Sequence, residues 1–226
     1  MSKPRICVCV VENGWARATE VIQSAEPHKP DLIELRIDYL KTLEGLENIR
    51  GATDLPLIAT NRRIDQGGHS VGSEEERVAI LLKACEAGFD YVDLELTTSN
   101  LDRVVDKVRG RGAKLIISYH DLNGTPSKQS MDRFLKEEQR FSPDICKIVG
   151  TATSHLDNFT YLSFLSEKSN VGLVCFGMGQ RGKLSRALSP LFGGAFTYAS
   201  AKAGHESAPG QLTIDALREI YRLLGV

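Results

Sequence analysis

A lysine sits inside the apolar run Asp-Ile-Cys-Lys-Ile-Val at 144–149. Alternation of period two puts Lys147 on one face with Ile145 and Val149, opposite Cys146 and Ile148. Desolvation there disfavours an ammonium and favours a neutral amine, the form that attacks a ketone to make a Schiff base. The unreactive alternative is a strand-end lysine that reaches solvent or pairs with a carboxylate. His120 ends the run Lys-Leu-Ile-Ile-Ser-Tyr-His, with Asp121 next, so Ser118 and His120 share a face at the end of a strand. An acid-base residue suits that place, and so does a hydrogen-bonded rim histidine or a helix-cap neighbour.

Charged residues recur at comparable positions. In Asp-Leu-Ile-Glu-Leu-Arg-Ile-Asp at 31–38, Glu34 and Arg36 project to one face of an otherwise apolar strand. They can pair with each other and also grip substrate hydroxyls, or form only a structural ion pair. Arg62, Arg63, Gln66, Gly67 and Gly68 follow a third strand, and Arg186 lies beyond the Gly-Met-Gly of 177–179. Guanidinium groups at such a rim suit a carboxylate substrate, although any of them could be solvated or cap a helix. The segment Gly-His-Glu-Ser-Ala-Pro-Gly-Gln at 204–211 reads as a closing loop that could exclude water, or as a turn into the last helix.

These residues need a frame. Apolar runs recur at 5–11, 31–37, 55–60, 89–96, 113–119, 145–149, 171–176 and 195–199, and helical spacing appears between them. Helices are expected over 15–25, 42–49, a segment capped by Ser73 and Glu76, one carrying Leu101, Val104, Val105 and Val108, then 128–140, 156–167, 184–188 and 213–224. Eight strand-helix units in 226 residues favour an α/β fold, an eight-stranded parallel (β/α)8 TIM barrel, as a single domain over 1–226. An open doubly wound sheet would explain the same alternation but needs edge strands and a switch point. In the barrel, reactive groups gather beyond the C-terminal ends of the strands.

Composition narrows the partners. With 28 Lys plus Arg against 29 Asp plus Glu, no general basic field favours nucleic acid or an anionic membrane, so an anion site must be local. No apolar run has membrane-spanning or signal-peptide length, and five dispersed cysteines read as buried thiols in a reducing, cytoplasmic compartment. Gly177, Gly179 and Gly182 have dinucleotide-loop spacing but lack the supporting acidic residue downstream. The five histidines form no zinc-protease pair, and no metal or other cofactor is expected.

The combination resembles type I 3-dehydroquinate dehydratase, the Schiff-base class, over nearly the whole chain. It is carried by Glu-Leu-Arg-Ile-Asp at 34–38, Arg62 with Gly67-Gly68, Ser-Tyr-His-Asp at 118–121 and Asp-Ile-Cys-Lys at 144–147. Met-Gly at 178–179, Ser-Arg at 185–186 and Ser-Ala-Pro-Gly-Gln at 207–211 complete it. The resemblance implies conversion of 3-dehydroquinate to 3-dehydroshikimate in the shikimate pathway, with Lys147 forming the imine and His120 moving the protons. It implies that Arg186 clamps the carboxylate, that Glu34, Arg36, Arg62, Ser207 and Gln211 position the ring, and that Met178 forms an apolar wall. It also implies a homodimer. Gln66 departs from the pattern, since many members carry glutamate there, and a neutral amide cannot act as a carboxylate base. Other readings are a Schiff-base aldolase using Lys147, a glycosidase using Glu34 and Glu95, and an inactive barrel that binds a partner.

Overall fold

The computed structural model describes residues 3–43, 45–168 and 172–226. The strands are β1 (Ile6–Val10), β2 (Leu32–Arg36), β3 (Leu57–Thr60), β4 (Tyr91–Glu95), β5 (Lys114–Asp121), β6 (Ile145–Thr151), β7 (Leu173–Met178), β8 (Thr197–Ser200) and β9 (Leu212–Thr213). The helices are α1 (Trp15–Ala25), α2 (Leu46–Arg50), α3 (Glu74–Glu86), α4 (Leu101–Arg109), α5 (Lys128–Gln139), α6 (Asp157–Ser166), α7 (Lys183–Leu188) and α8 (Ile214–Leu223). Every strand pairing is parallel, in the order β7-β6-β5-β4-β3-β2-β1-β8-β9.

The sheet is strongly curled. β6 and β8 stand six steps apart in the order, which would separate them by about 29 Å in a flat sheet at about 4.8 Å per strand. Yet the Lys147 Nζ on β6 lies 3.0 Å from the Tyr198 hydroxyl on β8. The rings of Phe176 on β7 and Tyr198 meet edge to face with centroids 6.3 Å apart. Alternate residues therefore face a shared interior, where Cys7, Cys9, Leu32, Ile58, Ile116, Val174 and Phe196 pack together. The other face, with Val8, Leu35, Ala59, Leu94 and Ile117, packs on amphipathic helices.

Several boundaries differ from the periodicity. β5 and β6 run two residues past their expected ends, through Asp121 and Thr151, because their mutual pairing continues through Asp121↔Gly150. β7 takes in Gly177 and Met178, expected in a loop, and the expected start at Val171 lies outside the described residues. α2 begins at Leu46 instead of residue 42, after Gly45 with φ +88°, and the expected span includes Glu44, also outside the described residues. The ninth strand was not expected. It pairs Leu212 and Thr213 with Ala199 and Ser200 as the chain returns along β8, and the Thr213 hydroxyl then accepts the Ala216 N–H to start α8.

α3 carries the reciprocal cap expected from Ser73 and Glu76: the Ser73 Oγ accepts the Glu76 N–H, and the Glu76 carboxylate accepts the Ser73 N–H at 2.8 Å. Ser73→Ala should lower unfolding stability by about 1 kcal/mol in urea titrations. Unchanged stability would mean that the start of α3 is held by other contacts.

Candidate active site

The inward-facing residues at the C-terminal ends of the strands form a cavity. Its lining includes Glu34 (β2), Thr60 (β3), His120 (β5), Lys147 (β6), Phe176 and Met178 (β7), and Tyr198 (β8). Arg36, Arg62, Gln66, Arg186, Ser207 and Ala208 complete the charged and polar wall. Nine of the ten residues that the family resemblance places in the site thus converge on one cavity, while Arg63, also named from the sequence, pairs with Asp65 outside it. Gln211 lies outside the cavity lining, where its side-chain carbonyl accepts the Ser207 N–H at 2.7 Å and so ties the two ends of segment 207–211 together.

Lys147 occupies the position expected from its period, facing inward with Ile145 and Val149 and almost fully buried. Its Nζ donates to the Asp93 carboxylate at 2.9 Å and to the Tyr198 hydroxyl at 3.0 Å, with Glu34 Oε1 at 3.7 Å. Desolvation is therefore opposed by counter-charge, a feature that period-two reasoning about one strand did not reveal. Burial alone would raise the Asp93 carboxyl, but Arg62 and Lys147 beside it hold it far below the usual carboxylate range.

Two of the expected arginines are already engaged. The Arg62 guanidinium donates to Asp93 at 2.7 Å and Ser118 Oγ at 2.8 Å, and lies 3.1 Å from Glu95. Arg36 does not pair with Glu34 as expected. The turn after β2 brings Asp38 back beneath the guanidinium, and the two form a two-pronged pair at 2.9 and 2.7 Å. Glu34 instead accepts from Thr60 at 2.9 Å and from the Cys9 thiol at 2.8 Å. Glu95 is ion-paired with Arg77 at 2.7 Å and with Arg62, outside the cavity lining, which removes the geometric basis for a Glu34 and Glu95 glycosidase pair.

Arg186 is different. It is buried, its Nε and one terminal nitrogen have no hydrogen-bond partner among the described residues, and its guanidinium carbon lies 4.4 Å over the Phe176 ring. Burial pushes its pKa down to about 10, as expected for a cation without a counter-ion. An anion entering the cavity would supply that missing partner.

His120 is on the strand beside Lys147, with Ser118↔Lys147 and His120↔Val149 in register. Its backbone N–H donates to Gln66 Oε1 at 2.9 Å, so the amide fixes the main chain here, while the buried Nδ1 has no partner among the described residues. Burial, then Arg62 and Lys147, push the imidazole well below its ordinary value despite Asp93. The ring is neutral at pH 7 and able to take a proton.

Sequence reasoning missed Asp93 and Tyr198. The same alternation that singled out Lys147 puts Asp93 on one face with Tyr91 and Glu95, but the cations it serves come from β6 and from the loop after β3.

A curled parallel α/β sheet carries at its strand ends a buried lysine, a neutral histidine and an arginine that has two nitrogens without a partner among the described residues. The chain matches the Type I 3-dehydroquinase description over residues 6–226 and belongs to that family. It is 37% identical over 222 residues to a 3-dehydroquinate dehydratase of Dehalococcoides mccartyi, covering 98% of this chain and 96% of the relative. The 3-dehydroquinate dehydratase structure from Geobacillus kaustophilus superposes with a TM-score of 0.89 at 26% identity, covering 99% and 92% of the two chains. The type I enzyme of Clostridium difficile, solved with covalently modified comenic acid, gives the same score and identity over 99% and 93%.

Because the folded His120 lies below the ordinary value of 6.5, the unfolded chain takes up that proton first as pH falls. Wild-type stability should therefore begin to drop near pH 6.5 and keep dropping until the folded imidazole titrates. His120→Asn should lose less over the same range in urea unfolding. An NMR titration of His120 centred near 6.5 in the folded protein would contradict this.

Proposed function

We propose that Lys147 and His120 carry out the dehydration of 3-dehydroquinate to 3-dehydroshikimate, the reaction of the family to which the chain belongs. The observation that carries this reading is the convergence of three groups: a buried lysine Nζ, a neutral histidine on the adjacent strand, and a guanidinium without a counter-ion among the described residues.

The substrate carboxylate pairs with Arg186, which sets the C3 ketone against Lys147. Nζ bonds to C3, the carbonyl oxygen leaves as water, and the resulting iminium draws electrons from C2. His120 takes the C2 proton. The electron pair moves to form the C1–C2 double bond, the C1 hydroxyl departs, and the proton on His120 goes to that oxygen to complete a second water. Hydrolysis of the imine returns Lys147 and releases 3-dehydroshikimate. Glu34 and Arg36, fixed by Thr60, Cys9 and Asp38, supply oriented groups for the ring hydroxyls, with Ser207 from the loop above. Arg62 acts from behind, holding Asp93 and Ser118. Gln66 orders the His120 backbone without adding a charge. The Clostridium difficile relative, solved with covalently modified comenic acid, supports a covalent mechanism.

The architecture extends this reading. We infer that β1 to β8 close into an eight-stranded (β/α)8 barrel forming one domain, with β9 an addition to its rim. The Ala195 N–H, two residues before β8, donates to the Leu173 carbonyl of β7 at 2.8 Å, and the shared interior cluster supports closure. The five free thiols, all buried, suit a reducing cytoplasm. We assign a homodimer to the apolar groove where Phe159, Leu162, Leu184, Leu188 and Phe192 come together, since Phe159 is 62% exposed. Phe159→Asp should convert a dimer to a monomer in light scattering, and a wild-type monomer would refute the assignment.

Incubation with 3-dehydroquinate and borohydride should leave a reduced adduct on the peptide carrying Lys147, read by mass spectrometry. His120→Ala should keep that adduct while dehydration falls by about 10² to 10⁴. An unmodified Lys147 in a folded protein that binds substrate would sink the mechanism, and an aldolase would give a cleaved product instead of water loss.

A further inference from the structure

Imine formation moves two hydrogens from nitrogen to oxygen. A lysine ammonium and a ketone become an iminium and water, so two of the three N–H protons of Lys147 must reach the departing oxygen. The groups around Nζ differ in their ability to carry them. Asp93 is held by Arg62 and Ser118 as well as by Lys147, and its carboxyl lies far below the range in which it would keep a proton. Ser118 already donates its own hydroxyl proton to Asp93 at 2.6 Å. Glu34 is 3.7 Å away and already accepts from Thr60 and Cys9. His120 is the base for the C2 proton under the function proposed above.

Tyr198 is the remaining neighbour. Its hydroxyl oxygen lies 3.0 Å from Nζ, and because an ammonium only donates, that oxygen is the acceptor. Its own proton has no acceptor among the described residues, and the side chain lines the cavity into which the ketone must come. Three aromatic and charged contacts fix the ring. Phe196 and Phe176 meet it edge to face at 5.3 and 6.3 Å, and Nζ lies 4.4 Å from its centroid. Burial, followed by the charge on Glu34, keeps the phenol neutral well past its ordinary value, so its proton is present whenever the site is active.

We propose that Tyr198 is a further catalytic residue, a proton relay between the Lys147 nitrogen and the substrate C3 oxygen; this rests on the imine chemistry proposed above. In the first passage an N–H proton moves to the phenol oxygen as the phenol proton moves to the ketone oxygen. The freed nitrogen pair bonds to C3, giving a carbinolamine that carries the positive charge on nitrogen. In the second passage another N–H proton moves to the phenol and the phenol proton to the carbinolamine oxygen. The C–O bond breaks, water leaves and the nitrogen pair closes the C=N bond. The charge stays at plus one throughout, and the phenol is restored after each passage. Run in reverse, the same two transfers hydrolyse the product imine.

Tyr198→Phe keeps the ring and removes the hydroxyl, and with it both the relay and an acceptor for Nζ. Rapid-quench borohydride trapping of the full-length protein with 3-dehydroquinate should show adduct formation on Lys147 slowed by about 100-fold. Isotope sensitivity to deuterium at C2 should shrink because the imine steps become limiting. The deficit should persist from about pH 6 to about pH 9, since a relay is not replaced by merely deprotonating the lysine. Unchanged trapping rates, or a deficit that disappears at the alkaline end, would overturn the relay and leave Tyr198 as a packing or charge-biasing neighbour. Absence of any adduct in the wild type would instead overturn the imine reading on which the relay rests.

Discussion

The site depends on one buried carboxylate. Asp93 accepts from Arg62 at 2.7 Å, from Ser118 at 2.6 Å and from Lys147 at 2.9 Å, all inside the curled sheet. Taking a lysine out of water is costly unless a counter-charge goes with it. Asp93 supplies that charge to two cations at once, and Arg62 also reaches Glu95, which Arg77 holds in turn. The chain of alternating charges runs from α3 and the loop after β3 through β4 to β6, with the neutral Ser118 hydroxyl of β5 bonded into it. It fixes Nζ in position and ties β6 to its neighbours.

Within that network, the groups left without partners are informative. Arg36, Arg62 and Arg77 all meet carboxylates, whereas Arg186 is buried with two nitrogens that have no partner among the described residues. His120 is similarly left with an unpartnered Nδ1 while its main chain is anchored by Gln66. A buried polar group without a partner costs stability, and one that lines a cavity can be completed by a ligand. The overall charge of -1 therefore says little about the substrate, because one uncompensated guanidinium can select an anion where the surface as a whole does not.

Much of this frame was legible in the sequence. Alternation put Glu34 with Arg36, Ser118 with His120, and Lys147 with Ile145 and Val149 on shared faces, and the structure keeps each grouping. Partner choice was less legible. Arg36 pairs with Asp38 only because the chain turns immediately after β2. Asp93 belongs to the site through cations that lie 31 residues before it and 54 after it. Tyr198 reads as an ordinary strand aromatic until the curl of the sheet brings β8 against β6. Faces follow from local period, but the meeting of side chains across an interior follows from closure.

In the proposed reaction one cavity orients a carboxylate on Arg186 so that Lys147 bonds C3 while His120 faces C2. A crystal structure of the protein reduced with borohydride in the presence of 3-dehydroquinate tests all three at once. The expected result is a continuous bond from Lys147 Nζ to the former C3 carbonyl carbon, the carboxylate paired with Arg186, and the His120 ring in contact with C2 or the C1 oxygen. A bond to another lysine, or a carboxylate bound away from Arg186, would contradict it.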